Sequence, residues 1–89
     1  MEKIITSTFS SPVRLKLLYC LSRGRKNVQE LINNCGLSQS AVSQHLKKMR
    51  VSGFVKDEKE GKFVFYSLKY QKVGKIAEQI LEFAKEVKS

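Results

Sequence analysis

Residues 38–48 bring together short or flexible hydrogen-bonding side chains: Ser38, Gln39, Ser40, Ser43, Gln44, His45, Lys47 and Lys48. Presented on a rigid helix, such groups suit the base edges and phosphates of a DNA major groove. Val42, Leu46 and Met49 fall among them at i, i+4 and i+7 and form a separate apolar stripe. One side of the helix is therefore fixed in a core and another is offered outward. Ser38 is a good N-cap and Gly53 a plausible stop, so a helix over 38–52 is well bounded. An ordinary amphipathic helix with a solvated polar face has the same pattern, and its surroundings must distinguish the two.

The neighbouring segments supply a scaffold for such a helix. Ser11-Pro12 is a helix start, followed at helical spacing by Val13, Leu17, Cys20 and Leu21, with Gly24 closing the element. Val28, Leu31, Ile32 and Cys35 form a second, short apolar stripe that ends at Gly36. The short glycine-containing connection from Cys35 to Ser38 predicts a helix-turn-helix. Phe54–Glu58 and Phe63–Leu68 read as two strands of a hairpin around Glu60-Gly61, with Lys59 and Lys62 at its tip. Directly after a helix-turn-helix, that hairpin is a wing. A last helix spans Lys69–Val87, and a short one is expected in Met1–Phe9 with Ile4, Ile5 and Phe9 on one face. The expected fold is mainly α with a two-stranded β-hairpin, a winged helix-turn-helix with flanking dimerisation helices in a single domain over 1–89.

Charge segregates along the chain, which carries a formal +9. Between Ser10 and Lys56 stand Arg14, Lys16, Arg23, Arg25, Lys26, Lys47, Lys48, Arg50 and Lys56 against the single acid Glu30, a net of +8. The positive excess lies on the same half as the Ser/Gln helix, the footprint of a nucleic-acid binder. Arg23, Arg25 and Lys26 surround a turn, where they either touch the backbone of DNA or are simply solvated. No run of about 18 apolar residues is present, so no membrane span is expected. The first residues lack the long apolar stretch of a secretory signal, and a cytoplasmic setting fits.

Catalysis finds no footing. There is no glycine-rich phosphate loop and no paired carboxylates in an apolar setting, so neither an enzyme nor a cofactor is expected. Ser43 and His45 are two residues apart on one helix and diverge by about 200°. His45, the only histidine, has three readings: a phosphate contact, the cap of a polar network under the helix, or a half-buried ring. Cys20 and Cys35 continue the apolar stripes of two successive helices and read as small core residues rather than a redox switch. Spacing alone does not give their distance, and Cys35, near a helix end, is the more reactive of the two.

The blocks PVRLKLLYCL at 12–21, LSQSAVSQHLKKMRVSGFV at 37–55 and KEGKFVFYSL at 59–68 together resemble the ArsR/SmtB-type family of winged-helix repressors. The resemblance implies a homodimer that binds operator DNA, with Gln39, Ser40, Ser43 and Gln44 facing the groove and His45 at the histidine of the family's Ser-x-His-Leu pattern. It does not carry over the sensor sites. Where many relatives place a Cys-x-Cys pair on the third helix this chain has QELINNCGL, and its last helix has neither histidine nor aspartate. No metal site is expected, and no effector is named.

The last helix supplies the expected dimer contact. Val73, Ile76, Ala77, Ile80, Ala84 and Val87 form its stripe with Phe83 on the margin, and Ile5 and Phe9 add to it from the N-terminus. A two-fold dimer presents two recognition helices, which implies a pseudo-palindromic duplex site. The alternatives are a winged-helix module that binds RNA or a protein partner, and a repressor that responds to oxidation through its cysteines.

Overall fold

The computed structural model describes residues 2–88. Met1 and the side chain of Ile4, assigned above to the N-terminal helix, lie outside the described residues. Along the chain run α1 (Glu2–Phe9), α2 (Pro12–Ser22), β1 (Lys26–Asn27), α3 (Val28–Cys35), α4 (Gln39–Ser52), β2 (Val55–Glu60), β3 (Phe63–Leu68) and α5 (Gln71–Lys88).

Local chemistry sets most of these boundaries. The Ser11 hydroxyl accepts from the Arg14 amide and opens α2 ahead of Pro12. Asn27 and Glu30 cap α3 reciprocally, each side chain accepting from the other's backbone N–H at 2.8 and 3.0 Å. This takes up the one acid of the basic half. Ser38 accepts from the Ala41 amide at 3.2 Å and starts α4. At the other end Gly53 adopts φ +88°, its N–H bonding the Arg50 carbonyl while the Phe54 N–H bonds that of Met49 at 2.9 Å. This is a Schellman turn, and it requires a left-handed residue at Gly53. Phe54 follows Met49 into the core, and the chain enters β2.

Leu17, Leu18, Leu21, Leu31, Val42, Leu46 and Met49 are the largest fully buried side chains. They come from α2, α3 and α4, so α2 is the post against which the helix-turn-helix is built. Phe54, Val55 and Leu68 close the core from the sheet, and Val73 and Ala77 from α5.

Three corrections arise. The hairpin is longer than expected, with β2 extending to Glu60 and the turn formed by Gly61 and Lys62. It is also joined by a third strand, because β1 pairs antiparallel with β3 through Lys26–Tyr66 and Asn27–Phe65, giving the order β1-β3-β2. Two residues between a turn and a capped helix leave no periodicity to read. Next, the apolar sector of α5 is two faces, not one stripe. Val73 and Ala77 are buried within the protomer, Ile80 and Leu81 pack half-buried on the core, and Ile76, Phe83, Ala84 and Val87 stay exposed. Val73 and Ala77 therefore leave the expected dimer surface. So does Phe9, which packs edge-on against Phe54 with centroids 6.3 Å apart, whereas Ile5 is exposed. Finally, Cys20 and Cys35 are not two separate thiols. They form a disulfide across a Cα separation of 6.8 Å, joining the last turns of α2 and α3, which packing brings side by side.

Candidate nucleic-acid interface

The geometry of α4 sorts its polar residues into three sets. At about 100° per residue, Ser40, Ser43, Gln44, Lys47 and Val51 fall within one arc opposite the buried Val42 and Met49. All five are exposed. Ser38 and Gln39 sit at the exposed first turn, where the Ser38 hydroxyl is engaged in the cap. His45 and Lys48 occupy the flank toward α1 and α2, and Arg50 the flank toward the wing. There a guanidinium nitrogen of Arg50 lies 3.7 Å from the Asp57 carboxylate. Both groups are well exposed, so this pair contributes little stability.

His45 is not among the outward residues. Its ring is half-buried and its Nδ1 accepts a hydrogen bond from Arg14 Nε at 3.1 Å. Burial, with Arg14 and Lys48 nearby, holds the imidazole pKa below the usual histidine value. The ring is therefore neutral near pH 7. Of the three readings of His45, the polar network under the helix and the half-buried ring hold together.

Arg14 had no assigned role. It stands in the first turn of α2, where the helix dipole disfavours a cation, and no acid shares that turn. That conflict with local preference was the available signal, since such conflicts concentrate at functional sites.

The wing is anchored from the residue before β1. The Arg25 guanidinium lies 4.4 Å from the Phe65 ring centroid and pairs with Glu60 at 2.5 Å. Arg25 is thus committed to the hairpin, Arg23 reaches the Tyr19 hydroxyl, and the Lys26 ammonium reaches the Gly24 carbonyl. Lys62 is in the turn, as expected. Lys59 is not at the tip but within β2, opposite Val64, and remains exposed. The wing thus offers Lys62 at its end and Lys59 on its side.

With this geometry in place, comparison with known proteins is decisive. The sequence profile of the bacterial regulatory protein, arsR family, matches residues 11–57, from the cap of α2 through α4 into β2. The chain belongs to the ArsR family. Nodulation protein NolR of Rhizobium meliloti is 37% identical over 70 residues, covering 79% of this chain and 57% of NolR. Transcriptional activator HlyU of Vibrio cholerae is 38% identical over 65 residues, 73% of this chain and 60% of HlyU. The chain spans about three-fifths of the length of these relatives. Among solved structures, the transcriptional repressor BigR from Xylella fastidiosa superposes with a TM-score of 0.80 at 32% identity, covering 91% of this chain and 83% of BigR. Reduced HlyU from Vibrio cholerae gives 0.78 at 33%, covering 92% of this chain and 86% of HlyU. The winged-helix architecture of this ArsR-family chain is thereby established. Among its described residues, no group of three or more His, Cys, Asp or Glu side chains could hold a metal ion, and no helix is long and apolar enough to cross a membrane.

Proposed function

We propose that this protein is a transcriptional regulator, most simply a repressor, that binds a pseudo-palindromic duplex as a homodimer. Each protomer inserts α4 into a major groove and lays its wing alongside. The carrying observation is the exposed arc of Ser40, Ser43, Gln44 and Lys47 on a helix whose opposite side is fully buried. The net charge of +8 over residues 10–56 supports the reading, because it gives the same half an attraction for phosphate. The exposed Ile76, Phe83 and Val87 of α5 and Ile5 of α1 supply apolar surface for the dimer.

Helix and wing divide the work. Gln44→Ala, and Gln39→Ala at the first turn, weaken the cognate site more than random DNA, by about 1–3 kcal/mol where a bidentate base contact is lost. Lys62→Ala weakens both duplexes alike and lowers the salt slope by about one ion. Salt titrations on cognate and scrambled duplexes measure both effects. A lysine variant that changes sequence preference, beside glutamine variants that do not, reverses the roles. Equal affinity of the wild type for all duplexes at moderate salt, or preference for single-stranded RNA, overturns the reading in favour of the RNA-binding or protein-binding alternative.

A second reading rests on the Cys20–Cys35 bond, which fastens the support helix α2 to α3, the element directly before the recognition helix. In this reading operator affinity depends on oxidation. Hydrogen peroxide takes two electrons from the two thiols, the S–S bond forms, and two waters leave. Dithiothreitol then changes the affinity of the wild type at least several-fold and leaves Cys35→Ser unchanged. Equal affinities of the two wild-type forms confine the disulfide to a structural role.

A further inference from the structure

A cleft of about 610 Å³ runs between α1, the start of α2 and the outer flank of α4. Among the described residues, every charged side chain that lines it is a cation: Lys3, Arg14, Lys47 and Lys48. Arg14 is the member held in place. Its Nη1 donates to the Ser7 carbonyl at 2.8 Å and to the Ser7 hydroxyl at 2.9 Å, and its Nε donates to His45 Nδ1. These partners are neutral, and they leave Nη2 unused. No carboxylate pairs with Arg14 among the described residues.

A structural staple between three helices does not need a full positive charge. Here the charge faces the dipole at the start of α2 and Lys48 on the facing helix, and its hydrogen-bond partners bring no full countercharge. A guanidinium so placed keeps its full charge available to an incoming anion. The location says which anion. Gln44, Lys47 and Val51 belong both to the outward arc of α4 and to the lining of the cleft. A helix with its side chains is about 10–12 Å across and the major groove about 12 Å wide, so an inserted α4 has a phosphate strand against each flank. The cleft is the channel beside one flank.

Resting on the DNA-binding reading above, we propose that Arg14 binds a backbone phosphate of the strand that borders the recognition helix. Lys48 lies beside that phosphate, and Ser7 and His45 are positioning residues that fix the guanidinium. With Nε and Nη1 engaged, Nη2 remains to donate to a phosphate oxygen, held in a fixed direction that a flexible lysine ammonium lacks. Burial first, and then Arg14 and Lys48, hold the His45 pKa down, and the part from the two cations agrees with a site of positive potential.

The test is a scan of the cognate duplex with single neutral methylphosphonate linkages, read with the wild type and with Arg14→Gln. Gln keeps hydrogen-bonding capacity and removes the charge. The expected result is one position per half-site where the neutral linkage weakens the wild type about tenfold, as for loss of a charge-assisted bond, but weakens Arg14→Gln less than twofold. At other phosphates the two proteins respond equally. Ser7→Ala, which removes one of the three bonds that hold the guanidinium, gives partial coupling at the same position with an unchanged melting temperature. If Arg14→Gln does not fold, the exposed Lys48→Gln replaces it, and coupling must appear at that phosphate or the next. Independent effects at every phosphate overturn the proposal and return Arg14 to a packing role. Failure of the wild type to select any duplex instead sinks the DNA-binding reading itself. A final arm titrates inorganic phosphate while following the His45 ring signals by NMR. No saturation in the sub-millimolar range is expected, and saturation there makes the cleft a small-anion pocket rather than a DNA channel.

Discussion

Replacing Phe83 with aspartate yields a monomer and weakens binding to a two-half-site operator by about a hundredfold or more. Phe83 is 64% exposed on α5, with Ile76 and Val87 on neighbouring turns also open to solvent. Each phenylalanine side chain fully buried contributes about 1.5–3 kcal/mol, and in a two-fold interface every such contact counts twice. The substitution removes that contribution and places two carboxylates in the contact. DNA binding suffers through effective concentration. A dimer that has seated one recognition helix holds the second near its half-site, an advantage of about 10²–10⁴ that a monomer lacks. Sedimentation gives the mass, and titrations on one and two half-sites give the affinities. Single-half-site affinity should barely change, since α4 is untouched. A dimeric mass for Phe83→Asp removes α5 from the interface. Ile80→Asp is the poorer test, because Ile80 packs half-buried against the protomer's own core and its loss would damage folding as well as association.

Gly74→Ala lowers stability, although alanine improves helix propensity by about 1 kcal/mol over glycine. Gly74 is buried where α5 crosses α2. A Cβ there would strike the Cβ of Ser22, come within 2.7 Å of Leu68 Cδ1 and lie 3.4 Å from the Leu18 carbonyl oxygen. Ser22 Cβ is fixed to the backbone and cannot swing away, so the two helices must separate. Overpacking of this kind costs about 1–3 kcal/mol, occasionally more. The tightness of this crossing puts Gly74→Ala at the upper end, where it outweighs the propensity gain. For a chain of this size, each 1 kcal/mol lost lowers Tm by about 4–8 °C. Thermal unfolding followed by circular dichroism measures the change, and a melting temperature at or above that of the wild type refutes the close crossing. Because α5 also carries the exposed Phe83, parting it from α2 shifts the apolar surface offered to a partner.

The sequence by itself determined the elements that depend on neighbours a few residues away. Ser11-Pro12, Ser38 and Gly53 mark ends that hydrogen bonds within one turn enforce. The period of Val42, Leu46 and Met49 fixes which side of α4 is buried, and with it the outward set of Ser40, Ser43, Gln44 and Lys47. The Lys59–Leu68 block specifies a hairpin through its strand formers and its glycine turn. The ArsR-type pattern of residues 37–55 was legible for the same reason, since it lies within one continuous helix and its flanks.

Tertiary structure decided everything that depends on which elements meet. One apolar sector on α5 serves two neighbours, and only its packing on α2 separates the buried Val73 and Ala77 from the exposed Ile76, Phe83 and Val87. The two-residue strand β1 exists because β3 offers it an edge, as no local periodicity marks it. Arg25 reads as a free cation until Phe65 and Glu60 are brought beside it across the sheet. Cys20 and Cys35 are fifteen positions apart, and whether they meet depends on the crossing of α2 and α3. Arg14 and His45 are separated by thirty-one positions. The contact that turns a helix-start arginine and a recognition-helix histidine into one fixed, cationic unit exists only once α2 lies behind α4.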